Sequence, residues 1–141
     1  MYLLDTDHIS VVQRQSEPEY QRLLARLSAH NPSDFYVPII SFHEQVMGWN
    51  AYLNRARTPE TVVRAYDMFQ RILDDFAAMA VAAFDAPASR RFESLRASKI
   101  RIATMDLRIA SIALANDWTL LSRNSVDFSR VPDLRIQDWT L

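Results

Sequence analysis

Short apolar runs that alternate with stretches of helical periodicity restrict this chain's fold more than any other feature. Residues 2–4 (Tyr-Leu-Leu), 35–40 (Phe-Tyr-Val-Pro-Ile-Ile), 79–84 and 118–122 (Trp-Thr-Leu-Leu-Ser) each read as a strand, and Leu134 and Ile136 mark a fifth. Between the first two, Ser16, Pro18 and Glu19 resemble a helix start with a capping box, followed by Tyr20, Leu23, Leu24 and Leu27 at helical spacing. Asn31-Pro32 ends that helix. Helical period returns at Ser41, with Phe42, Val46, Trp49 and Leu53 on one face. Thr58-Pro59-Glu60 opens the next helix, whose stripe is Val62, Tyr66, Phe69, Leu73 and Phe76. Residues 88–98 form another, and 102–116 is apolar nearly all round, as a buried central helix would be. Pro38 suggests that the second strand is an edge or starts irregularly. Strands alternating with helices imply an α/β fold with a central parallel sheet of about five short strands, flanked by helices on both faces.

Composition narrows the chemistry. The 141 residues, 49% hydrophobic and 23% charged, suffice for one domain over 1–141 with a real core. A net charge of −1 argues against holding nucleic acid by bulk positive field. With no cysteine, disulfide scaffolds, thiol catalysis and cysteine zinc sites are excluded. The single glycine, Gly48, rules out P-loops and dinucleotide fingerprints. Lys99 is the one lysine beside fifteen arginines. The longest uncharged apolar stretch, Phe76 to Phe84, is far below the roughly 18–20 residues that span a bilayer. The first residues lack the basic segment of a secretory signal and reach an acid at Asp5, so a cytoplasmic protein is expected.

In open parallel sheets, ligands bind beyond the carboxyl ends of the strands, and several acids fall there. Asp5 ends the first strand. Glu44 is expected in the first turn of the helix after the second, and Asp106 in the first turn of the buried helix. Asn124 follows the fourth strand, with Asp127 three residues on. Each has a plain structural alternative. Ser41-x-x-Glu44 fits a capping box, Asp106 suits a helix macrodipole, and Asn124 and Asp127 suit a turn or N-cap. Together they say more. Two carboxylates about 5 Å apart repel by roughly 3 kcal/mol at an effective dielectric near 20. A cluster of them persists when a cation compensates it or when protons are retained. Oxygen ligands without cysteine suit Mg²⁺ or Mn²⁺, and carboxylate-held Mg²⁺ is a common instrument of phosphodiester hydrolysis.

Leu3-Leu4-Asp5-Thr6-Asp7, Ser41-x-x-Glu44, Ile102-Ala103-Thr104-Met105-Asp106-Leu107-Arg108-Ile109-Ala110, Leu121-Ser122-Arg123-Asn124 with Asp127-Phe128, and the tail Val131 to Trp139 resemble the successive motifs of the PIN-domain ribonucleases. More narrowly, they are similar to the VapC toxins of type II toxin–antitoxin pairs. The resemblance spans essentially the whole chain, in order. It implies a PIN fold, an Mg²⁺-dependent endoribonuclease acting on transfer RNA or other structured RNA, a VapB-like antitoxin partner and a homodimer. By motif position it implies Asp5, Asp106 and Glu44 as metal ligands, Asn124 as a further catalytic-site residue, and Thr6, Ser122 and Asp127 as supporting groups. The fourth acidic position common in that group falls on the neutral Asn124, which would weaken a second metal unless Asp127 serves. Ala103 stands where many relatives carry glycine. Arg108 and Arg123 could contact an RNA backbone or simply be solvated.

Two other readings stand beside this one. Asp5-Thr6-Asp7 would suit a haloacid-dehalogenase phosphatase, but that chemistry needs a positioned lysine and a late acidic pair, and no adjacent acids follow Asp106. A non-catalytic PIN-like protein-binding module draws its support from Asn124. His8, His30 and His43 form no convincing site, and Phe42, Trp49 and Tyr52 read as core or dimer contacts.

Overall fold

A computed structural model describes residues 1–141. Its elements run β1 (Tyr2–Leu4), α1 (Thr6–Arg14), α2 (Glu19–Leu27), a 3-10 turn (Pro32–Asp34), β2 (Phe35–Pro38), α3 (Ile39–Asn54), α4 (Pro59–Ala77), β3 (Val81–Ala82), α5 (Ala86–Ala97), α6 (Thr104–Asn116), β4 (Thr119–Leu121), α7 (Ser125–Phe128) and β5 (Ile136–Gln137). The five strands pair in the order β3-β2-β1-β4-β5, every pair parallel.

Side-chain alternation along the strands divides the interior. Leu3 and Leu120, paired in register, enter a core with Leu107, Ile109 and Ile112 of α6 and Phe92 and Leu95 of α5. Their neighbours Leu4 and Leu121, also in register, point the other way onto Ile9 of α1, Leu23 of α2, Ile72 and Phe76 of α4, and Trp139. A strand buried on both faces must be apolar at consecutive positions, which is why Tyr2-Leu3-Leu4 and Thr119-Leu120-Leu121 read as unbroken runs. No helix is long and apolar enough to cross a membrane.

Several boundaries differ from the sequence expectation. The second strand stops at Pro38, and Ile39 and Ile40 already belong to α3. Pro38 therefore closes an interior strand, β2, which lies between β3 and β1, instead of marking a sheet edge. The third and fifth strands shrink to two residues each, and Leu134 falls outside β5. Helix α2 starts at Glu19 with no side-chain cap, so the Ser16–Glu19 capping box does not form. Helix α4 does open with a box, made by Thr58 and Thr61. Its inward face is Ala65, Ile72 and Phe76; Tyr66 and Leu73 of the expected stripe are 59% and 55% exposed. Helix α1 was not legible in advance.

Candidate functional site: a carboxylate rim at the strand ends

Parallel register sets the first two site residues side by side. Because Leu4 pairs with Leu121, the next residues, Asp5 and Ser122, leave adjacent strands together. The Asp5 amide extends the ladder by donating to the Leu121 carbonyl (2.9 Å). Asp5 then serves as N-cap of α1: one carboxylate oxygen accepts from the Thr6 amide (2.7 Å), and the other accepts from the Ser122 hydroxyl (2.7 Å). This carboxyl is only 5% exposed. Its pKa is pushed from the ordinary 3.8 up to about 7, by burial first and by the charge of Asp7 second, with Asp106 adding a smaller push. The Ser122 and Thr6 hydrogen bonds oppose the rise without cancelling it.

Glu44 reaches the same rim through Thr6. The Thr6 hydroxyl lies 2.7 Å from Ser41 Oγ and donates to Glu44 Oε1 at 3.1 Å. This arrangement disposes of the capping box at Ser41. Helix α3 begins two residues earlier, at Ile39, so Ser41 is inside the helix and Glu44 lies beyond its first turn. Burial raises the Glu44 pKa; the Thr6 hydroxyl opposes that, Asp106 adds to it, and His43 pulls it down.

Asp106 is in the first turn of α6, as expected, behind an N-cap, Ala103, that offers no side-chain cap. A helix N-terminus favours a charged carboxylate and lowers its pKa. Here the pKa is raised, by burial first, then by Asp127 and Asp7, so the macrodipole does not dominate. Asp106 is the electrostatic hub of the rim: its charge acts on Asp5 and Glu44, and those of Asp7 and Asp127 act on it. The fold's ion pairs include none to Asp5, Glu44 or Asp106.

The remaining expected residues divide. Ser122 is fully buried and touches Asp5 directly. Asn124 is the N-cap of α7, its side chain accepting from the Asp127 amide (3.4 Å) and donating to the Asp127 carboxylate (3.0 Å). The plain capping explanation thus holds for Asn124. Asp127 is also 3.8 Å from Arg130. Arg108 lies over the Phe92 ring, 5.5 Å from its centroid. No three acidic or imidazole side chains close into a compact ligand set, and no cavity encloses the rim, which is an open ledge.

Two residues with no role in this site legible from sequence, Asp7 and His8, brace it. Asp7 accepts from the Arg123 amide (2.9 Å) and from the Ser122 hydroxyl (3.4 Å), tying α1 to the loop after β4. Its other oxygen pairs with His8 Nδ1 at 2.7 Å, while His8 Nε2 accepts the Trp139 amide at 3.2 Å. An Nε2 that accepts must be unprotonated, so the ring's proton sits on Nδ1 and is donated to Asp7. The Asp-x-Asp spacing alone did not separate Asp7 from a surface acid; that α1 starts at Thr6 does.

Neither a protein-family model nor a curated protein matches the chain. Solved structures do. The chain is similar to one in the VapBC2 complex of Rickettsia felis bound to a DNA fragment from its promoter, at 24% identity and TM-score 0.71 over 98% of each chain. It is similar to one in FitAcB from Neisseria gonorrhoeae, at 24% identity and TM-score 0.69 over 99% of this chain and 98% of that one. A chain of VapBC-1 from nontypeable Haemophilus influenzae gives 21% identity and TM-score 0.75 over 99% and 98%. Identity this low makes the likeness one of fold, and the fold is the PIN-like α/β arrangement.

Proposed function

We propose that the chain is a metal-dependent endoribonuclease, the toxin of a type II toxin–antitoxin pair. One observation carries the catalytic part: a nearly inaccessible Asp5 carboxyl, surrounded by the charges of Asp7 and Asp106, has no basic side chain to neutralise it. Such a group keeps its proton or is matched by a cation from solution. The donor set is oxygen only, which fits Mg²⁺, with Mn²⁺ as a substitute, and Asp5, Asp106 and Glu44 would hold the ion. Bound there, a divalent ion would supply an activated water and neutralise charge building on a phosphodiester.

The chain's own residues prepare that ledge. Ser122 and the Thr6 amide fix both oxygens of Asp5, leaving their remaining lone pairs for a ligand. Thr6 and Ser41 set the rotamer of Glu44, and Asp7 holds the Ser122–Arg123 turn against α1. Asn124 acts by positioning α7 and, through it, Asp127. A rim outside the enclosed cavities admits a large substrate such as an unpaired stretch of a structured RNA.

The toxin assignment draws on the likeness to VapBC and FitAB complexes, which also suggests a VapB-like partner. A homodimer would cover Tyr66 and Leu73, which α4 turns to solvent. The experiment is sequencing of RNA ends after brief expression, with Asp5→Asn as control. New ends at defined positions with the wild-type chain alone are expected. Identical ends with both chains would overturn the nuclease reading.

A further inference from the structure

A second polar feature begins where the carboxylate rim ends. Helices α1 and α3 stay in contact beyond Thr6, Ser41 and Glu44: Gln13 and Gln45 exchange amide hydrogen bonds at 3.1 and 2.7 Å. There the two helices and α4 open a cleft of about 740 Å³. Arg14, Arg64 and Arg71 line it, none of them in an ion pair. Its one acid, Asp75, accepts from Gln13 Nε2 (3.0 Å). The Arg64 guanidinium lies over the Trp49 ring, 5.6 Å from its centroid, which holds it in place. From Thr6 to Gln13 is seven helical residues, about 10 Å at 1.5 Å per residue.

We propose that this cleft is a phosphate-backbone subsite, in which Arg14, Arg64 and Arg71 hold single-stranded RNA whose scissile bond lies on the carboxylate rim. The proposal rests on the nuclease reading above and names where that substrate is gripped. An anionic rim repels the polyanion it is to cut, and a chain of net charge −1 has no bulk field to overcome this. The three guanidiniums of the cleft, none of them ion-paired, supply the attraction locally, in the bidentate geometry that suits phosphate.

Gly48 fits the same role. It sits mid-helix in α3, where glycine costs about 1 kcal/mol relative to alanine. A Cβ at this position would meet nothing within 4 Å, so packing does not demand glycine. What the missing side chain does is leave the cleft open.

The test uses the full chain carrying Asp106→Asn, chosen so that the RNA stays intact under the nuclease reading, and a short fluorescein-labelled single-stranded RNA of mixed sequence. Anisotropy titrations compare this parent with Arg64→Gln/Arg71→Gln and, separately, with Gly48→Glu. The double variant should bind about tenfold more weakly, and its log–log salt slope should fall by about 1.4, or 0.7 for each lost contact. Gly48→Glu should weaken binding comparably while melting no lower than the parent. Affinities and slopes within twofold of the parent would overturn the subsite. So would a result in which an acidic polyglutamate peptide, and not RNA, depends on the arginines, since the cleft would then dock protein. Cleavage by the wild-type rim separates the two readings: RNA cut normally by chains with the cleft variants sinks the subsite alone. Arginine-dependent RNA binding by a wild-type chain that cuts nothing upholds the subsite and sinks the nuclease.

Discussion

Removing the charge of Asp5 should make the metal-free protein more stable at alkaline pH. The folded carboxyl titrates near 7 and the unfolded one near 3.8. The folded state therefore binds its proton more tightly, and stability falls as pH rises from the lower value through the higher, then levels off. At 1.36 kcal/mol per pH unit, the full fall is about 4 kcal/mol. Asp5→Asn abolishes it. The Thr6 and Ser122 hydrogen bonds to the ionised carboxyl are already contained in its raised pKa, and a neutral amide, like the protonated carboxyl, can still accept from either. The net gain above pH 8 is then about 4 kcal/mol, some 12 °C in melting midpoint for a chain of this size. Near pH 5 the unfolded carboxyl is already ionised while the folded one keeps its proton, so wild type has lost less than half of the fall and the gap between the two proteins should shrink to about 2 kcal/mol, closing only below about pH 4. Thermal melts in chelator from about pH 5 to about pH 9 would read this directly. An Asp5→Asn protein that melts lower than wild type at pH 8, with the same dependence on pH, would refute the idea that this buried charge burdens the fold.

Three further outcomes are expected. Millimolar Mg²⁺ or Mn²⁺ should raise the melting midpoint of wild type but not of Asp106→Asn, since an ion bound only by the folded state stabilises it by mass action; equal shifts would place the ion elsewhere. Thr6→Val frees Ser41 and strips Glu44 of the hydrogen bond that holds its pKa down, so RNA cleavage should fall by about 10-fold or more at unchanged substrate affinity; unchanged turnover would remove Glu44 from the site. His8→Ala leaves a void and unpairs the Trp139 amide, at a cost of about 3 kcal/mol measured by urea unfolding, whereas Arg123→Ala, exposed at the same turn, should cost under about 0.5 kcal/mol.

What the sequence made legible follows from which physical signals are local. Asp5 and Asp106 were readable because a strand end and a helix start each leave a mark within a few residues. The parallel sheet was readable because Leu3-Leu4 and Leu120-Leu121 are apolar on both faces. The start of α3 was not: Ile39-Ile40 has the β-branched composition of a strand, and only the need to bury Ile40 against α6 commits it to helix. Helix α1 hid because its buried residues include His8, a polar side chain satisfied by a residue 131 positions away. On α4, Ile72 and Leu73 are equally apolar neighbours, and packing against α3 decided which one faces inward. Asp7 and Ser41 stand within motifs the sequence shows, but their partners, Arg123 and Thr6, are distant along the chain, so no window of it could reveal those contacts.

The imidazole of His8 joins the last strand's tail to the first helix: one ring nitrogen is occupied by the Trp139 backbone, the other by Asp7, which in turn braces the turn beside Asp5. A change at Trp139 is therefore transmitted through His8 to Asp7. Clipping the chain just ahead of Trp139 would empty an aromatic nest shared with Tyr2, His30 and Phe35 and strip His8 Nε2 of its backbone donor, loosening the imidazole that braces Asp7 without touching a single residue on the ledge.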